Sequence, residues 1–213
     1  MTTPVQVWDS FAATAKPRRA VNAAGVTTWL NWTQYPDHGP DESVLGPVSG
    51  KRVLELGCGA GANLAHVATL GARCVGVDIA PTRIKAAAAR WGTAANLEFV
   101  TADAVDHLTG SRVVYDVVFS IFGAVWFTDP AVLLPAVHDA LAPGGVLAFS
   151  HLPASDAPGP ARRLITKHHL STHQWHQALE DAGFDAISAE IIPAPGPDQP
   201  GTLLVHARRG RLA

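Results

Sequence analysis

The stretch Val53–Ala62, VLELGCGAGA, decides how the rest of the chain is read. A short apolar strand empties into alternating glycines, and a run with helical character follows from Asn63 to Leu70. Glycines at the carboxyl end of a strand let a ligand approach the backbone, and the next helix offers unpaired N–H groups. That arrangement suits any cofactor that carries an adenosine. Ala62 stands at the last position of the dinucleotide fingerprint, where alanine is a permitted substitute for glycine. Glu55 is the departure from that fingerprint. A carboxylate at the mouth of the loop repels a pyrophosphate and attracts a cation.

From about Lys51 onward, apolar strands alternate with helical segments. RVLEL, ARCVGVD, LEFVTAD, YDVVFSI and VLAFS read as strands. Pro81 opens a helix to Trp91, and Asp129-Pro130 caps and opens another that runs to about Leu141. Pro135 falls inside that last helix and predicts a kink or a later start. Strands apolar throughout and separated by helices imply a parallel sheet covered on both faces. After a helix ending near Ala182-Gly183, FDAISAEII and GTLLVHAR flank a loop rich in proline and glycine, which suits an antiparallel pair at the sheet edge. The expected fold is therefore α/β: a three-layer Rossmann-like sheet, mostly parallel with an antiparallel C-terminal hairpin strand, and helices on both faces. Residues 1–50, with a helix over about Val7–Ala24, form an N-terminal lid or cap segment, and residues 51–213 form the core of a single domain.

Two further acids repeat the position of Glu55. Asp78 ends the second strand about 20 residues beyond Gly57, where an acid accepts both ribose hydroxyls. Asp103 follows the third strand and is placed to accept the exocyclic amine of adenine. Alone, Glu55 could face solvent or pair with Arg52 or Lys51, and Asp78 and Asp103 could each cap a helix. Three acids at three successive strand ends converge on one edge of the sheet. S-adenosylmethionine matches them, with an adenosine, no phosphate, an ammonium and a cationic sulfur.

The series VLELGCGAGAN, VGVDIA, FVTADA, YDVVFS and LAPGGVLAFS resembles the class I S-adenosylmethionine-dependent methyltransferase family over Val53 to Ser150, and the tail resembles its closing hairpin. The resemblance implies that Glu55, Gly57, Gly59 and Gly61 line the methionine end of the cofactor, Asp78 takes the ribose and Ile79 packs on the adenine. It also implies that Asp103 with Ala104 reads the adenine edge, and that Cys58, Asn63 and Ser120 complete the cofactor set. A small-molecule acceptor is the implied partner. The family's DNA- and amide-methylating members carry an Asn or Asp followed by two prolines and an aromatic after the fourth strand. Here that position reads FSIFGAVWFTD, which argues against a nucleic-acid substrate. The metal-dependent catechol-type members place acids there, whereas Asp129 reads as a helix cap, so no metal is expected.

For the acceptor, His151 after the fifth strand is the candidate base, against the plainer reading of a hydrogen-bonded strand-end histidine. Trp126 and Phe127 could wall the pocket, with core packing the stronger reading for Phe127. Tyr35, Asp37 and His38 form a second group of catalytic candidates. The segment reads as a lid in which Trp29, Trp32 and Tyr35 exclude water while Asp37 or His38 meets the substrate, against a linker packed on the sheet edge. His168, His169, His173 and His176 have zinc-like spacings, yet Ser171 or Thr172 as a cap and the stripe Trp175, Leu179, Ala182 favour an ordinary helix.

Composition narrows the remaining possibilities. A net charge of −2, with 16% charged residues, offers no electrostatic argument for nucleic acid or an anionic membrane. Short basic clusters such as Lys16, Arg18 and Arg19 read as solvated surface. Two cysteines make no disulfide framework, and neither a secretory signal nor a membrane-length apolar run is seen, so a soluble cytoplasmic protein is expected. An NAD-dependent oxidoreductase, a non-catalytic cofactor binder and S-adenosylmethionine chemistry other than methylation stand as the competing readings.

Overall fold

The computed structural model describes residues 3–14, 18–154 and 165–211. A seven-stranded sheet runs through its middle: β1 (Arg52–Leu56), β2 (Arg73–Asp78), β3 (Leu97–Thr101), β4 (Tyr115–Ile121), β5 (Leu141–His151), β6 (Phe184–Ile192) and β7 (Thr202–Arg209). The spatial order is β3-β2-β1-β4-β5-β7-β6. The first five strands are parallel, and β7 is antiparallel to both β5 and β6. The parallel sheet with an antiparallel C-terminal hairpin is the architecture expected from the alternation of apolar strands and helices.

Period-two alternation splits the core between the two faces. On one face Leu54, Leu56, Val118, Leu147 and Phe149 pack with Leu133, Leu134, Val137 and Trp175. On the other, Val53, Val117, Phe119 and Ala148 pack with Leu64, Val67, Leu45 and Trp32. Glu55 shares the second face with Val53. It sits opposite Gly76 of β2 and Phe119 of β4, and its side chain is 1% exposed.

The helices are α1 (Pro4–Thr14), α2 (Ala62–Thr69), α3 (Pro81–Trp91), α4 (Ala104–Gly110), α5 (Ala124–Phe127), α6 (Pro130–Ala140) and α7 (Thr172–Asp181). Asp103 caps α4 through Oδ1, which accepts from the Val105 and Asp106 N–H groups, and Asp129 caps α6 at Ala131. The α6 cap holds the helix start at Pro130, so Pro135 lies inside the helix and does not delay it. Ser171 and Gln174 form a reciprocal capping box on α7, and Trp175 and Leu179 are fully buried beneath it. The histidine-rich tract is thus a capped helix. Among the described residues, no group of three or more His, Cys, Asp or Glu side chains is arranged to hold a metal ion.

The N-terminal region departs from expectation. Helix α1 covers Pro4–Thr14, and no helix follows among residues 18–24. The Trp29–His38 segment is a strap rather than a lid. Trp32 is 0% exposed, lies against Phe119 and donates from Nε1 to Asp41 O. Ser150 Oγ donates to Trp32 O at 2.6 Å. Gln34 Nε2 and Tyr35 Oη both donate to Pro200 O. The segment fastens β5 to the β6–β7 loop. No helix among the described residues is long and apolar enough to cross a membrane.

Candidate active site

The sheet order reverses between β1 and β4, and a crevice opens outside the carboxyl ends of the strands at such a switch. A cavity of about 670 Å³ lies there. Its wall draws on the ends of β1, β2, β3 and β4, on α1, and on the segment before α7.

One half of the wall is polar. Glu55 reaches it from β1, and Glu55 Oε2 has no hydrogen-bond partner. Burial pushes this carboxyl up to about 8; the Asp78 charge adds to the rise, while Asn63, the Leu64 N–H and Arg18 offset part of it. Ionised, an unpaired buried carboxylate is costly, and a cation at this oxygen would offset that cost. Asp78 accepts from Gly59 N–H and Ala80 N–H, each at 2.9 Å. It joins the loop to its strand, and burial raises its pKa as well. Ile79, Asp103 and Ala104 continue the wall, as do Gly57, Cys58, Gly59 and Asn63. Burial, with Glu55 and Asp78 nearby, pushes the Cys58 thiol up, which keeps it protonated.

The glycines divide their work. Gly59 has φ +53° and open space where a Cβ would stand, so the conformation alone requires glycine. Gly57 has φ +76°, and a Cβ there would lie 2.4 Å from Ala124 N; it serves contact between the loop and α5. Gly61 does not line the cavity. A Cβ on it would strike the Phe99 ring at 2.5 Å, so its role is packing against β3.

The other half of the wall is aromatic. Pro4, Trp8 and Phe11 of α1, with Phe122 and Phe127, face the cavity, and His168 and Asp129 are polar groups among them. Trp8 meets Phe127 edge-on at 4.6 Å. Asp9 Oδ1 accepts from Thr82 N–H, which ties α1 to α3. Phe122 is held at φ +49°, a conformation uncommon for an aromatic residue. The His168 backbone N–H donates to Trp126 O at 2.9 Å.

Several expected site residues lie elsewhere. His151 is 0% exposed, stacked on Trp126 at 5.4 Å, with Nδ1 against Leu152 O. Burial lowers its pKa to about 4, and it does not border the cavity. Trp126 is buried with it, while Phe127 faces the cavity, the reverse of the sequence expectation. Ser120 Oγ donates to Leu56 O and accepts from Val125 N–H, a tie between β4, β1 and α5. Tyr35, Asp37 and His38 stay in the strap, with Asp37 paired to Arg19. Trp29 lies under the Arg18 guanidinium. Sequence reading placed a helix in the N-terminal segment and named His168 in the histidine tract, but missed that Trp8, Phe11 and His168 line the cavity. Trp8 and Phe11, spaced i and i+3 on a short helix that buries no residue, were the available signal for α1.

A Rossmann-like sheet with a carboxylate-lined crevice at its switch point defines the class of protein. The methyltransferase-domain family profile matches residues 53–145. The ubiquinone biosynthesis O-methyltransferase of Cereibacter sphaeroides is 36% identical over 109 residues, covering 50% of this chain and 43% of that protein. The enzyme of the same description from Dinoroseobacter shibae is 30% identical over 168 residues, covering 71% and 66%. A solved S-adenosylmethionine-dependent methyltransferase from Mesorhizobium loti superposes with a TM-score of 0.64 at 26% identity, over 79% of this chain and 95% of that one. The chain belongs to the class I S-adenosylmethionine-dependent methyltransferase family. It spans 43% to 66% of the lengths of the two curated relatives. The residues of the polar wall are compatible with S-adenosylmethionine: the unpartnered Glu55 oxygen suits an ammonium, and the open space beside Gly59 leaves room for close approach.

Proposed function

We propose that this chain methylates a hydroxyl of a small organic acceptor, with S-adenosylmethionine as donor. The observation that carries the reading is the buried Glu55 carboxyl with one unpartnered oxygen on the cavity wall. A pyrophosphate there would meet like charge, and an α-ammonium meets its complement. Asp78 takes the ribose hydroxyls, Ile79 covers the adenine, and Asp103 with Ala104 reads its edge. When bound, the cofactor supplies a methyl carbon activated by a positively charged sulfur.

The chain's own contribution is alignment and dehydration. Trp8 and Phe11 of α1, with Phe127, give the cavity an aromatic side that suits an apolar acceptor. His168 borders the cavity and accepts the proton that an acceptor hydroxyl releases. The O-methyltransferase descriptions of the relatives support oxygen as the methylated atom. The lid is therefore α1, and the base is His168.

Calorimetric titration with S-adenosylhomocysteine and, separately, with NAD tests the cofactor. Binding of the first and not the second is expected; binding of NAD alone would overturn the reading. Release of S-adenosylhomocysteine on incubation with hydroxylated aromatic acceptors then tests the chemistry.

A further inference from the structure

Trp126 does not border the cavity, yet it touches three residues that do. Its ring meets Phe127 at 5.1 Å and Phe122 edge-on at 6.0 Å, and its backbone O accepts from the His168 N–H at 2.9 Å. The two neighbours of His168 converge on the same indole. Lys167 Nζ lies 3.9 Å from the ring centroid, and the His169 ring meets it edge-on at 5.7 Å. Three consecutive residues are thus seated on one tryptophan.

Trp126 is itself fixed. Its helix, α5, is tied to β4 by Ser120 Oγ, which accepts from Val125 N–H, and it packs backbone to backbone against the loop at Gly57. His151 stacks on the indole at 5.4 Å, with the planes 5° apart. Burial lowers the His151 pKa to about 4, and the nearby Lys167 charge acts in the same direction. The imidazole is therefore neutral at pH 7 and sets no second cation beside Lys167. The indole Nε1 is buried without a hydrogen-bond partner, so the position relies on its π surface and its carbonyl, not on the N–H. Residues 165–171, by contrast, form neither helix nor strand. No ladder fixes a side chain in such a segment, and its direction depends on what holds the residues around it. We infer that Trp126 and Lys167 are positioning residues: the Lys167 cation on the buried indole, beside the hydrogen bond to Trp126 O, holds His168 at the cavity. The inference rests on the reading of His168 as the base.

Lys167→Met tests it on the full chain, since it removes the charge and keeps the length of the side chain. Amide hydrogen exchange followed by NMR should show His168 losing about threefold to thirtyfold in protection, the value of a cation–π contact, while Val118 and Leu147 in the sheet keep theirs. Turnover, read as S-adenosylhomocysteine released with catechol and pyrogallol as acceptors, should fall by about the same factor, with acceptor KM and S-adenosylhomocysteine affinity within about twofold. Lys167→Arg should restore both readouts. Trp126→Phe, which keeps a π face and the carbonyl, should retain more turnover than Trp126→Leu. In a His168→Ala background Lys167→Met should cost less than about twofold more, because the two residues act as one unit. Unchanged His168 protection, or an equal loss of turnover with and without His168, would overturn the inference and leave the base in place. Undiminished turnover in His168→Ala, or no release with either acceptor, would overturn the functional reading, and the inference with it.

Discussion

Replacing Glu55 by Gln isolates the group on which the functional reading turns. In the folded protein the carboxyl titrates at about 8 instead of 4.5, while in the unfolded chain it returns to its ordinary value. Below pH 4.5 both states are protonated and the group imposes no penalty. Between 4.5 and 8 the unfolded state ionises first, so the folded state binds more protons and stability falls as pH rises. At about 1.4 kcal/mol for each pH unit, the loss reaches on the order of 5 kcal/mol by pH 8 and then levels off. Asp78, also raised by burial, acts in the same direction, so the difference between the two proteins is the informative quantity. Urea unfolding of the native chain and of Glu55→Gln, from pH 5 to pH 9, should give a stability difference that declines with pH and flattens above 8. Below about pH 7, S-adenosylhomocysteine binding should release close to one proton from the native chain and none from the variant, and the release should fade as pH passes 8. Calorimetry in buffers of different ionisation enthalpy reads that release. A stability difference independent of pH would refute the argument, because Glu55 would then be ionised in the free protein and already matched by a partner.

The same geometry fixes the outcome of five further substitutions. Asp78→Ala should weaken S-adenosylhomocysteine binding by about tenfold to a hundredfold in calorimetry, since it removes the proposed acceptor for the ribose and frees Gly59 and Ala80; unchanged affinity would contradict the assignment. His168→Ala should lower turnover by about a hundredfold or more while sparing cofactor affinity, and His151→Ala should spare cofactor affinity too, because His151 is buried away from the cavity. Gly57→Ala should cost about 2 kcal/mol or more in denaturant unfolding, because its Cβ meets backbone at 2.4 Å; Gly59→Ala should cost only about 1 kcal/mol, the strain of its φ.

The two histidines show where local reading stops. His151 ends a buried strand, and a side chain there points either to the crevice or into the layer beneath, a choice made by the Trp126 and Trp175 rings stacked around it. His168 belonged to a tract whose capping signals were read correctly, but its approach to the cavity depends on the hydrogen bond to Trp126 O, a contact across 42 positions of chain. Arg18 looked like one of several solvated cations, and only the stacking of the strap beneath it reveals the burial.

The sequence by itself determined the sheet, the helix caps and the polar half of the site. Those features depend on neighbours within a few residues: apolar alternation, Asp103 and Asp129 before their helices, Ser171 with Gln174, and acids at the ends of consecutive parallel strands. Tertiary structure alone decided that α1 covers the cavity, that Trp29–His38 is a strap, and that Gly61 and Ser120 serve packing while Gly59 borders the ligand space. The physical reason is that these roles are contacts between segments far apart in the chain. Their energy depends on which surfaces meet after the sheet has formed, and no local pattern encodes that meeting.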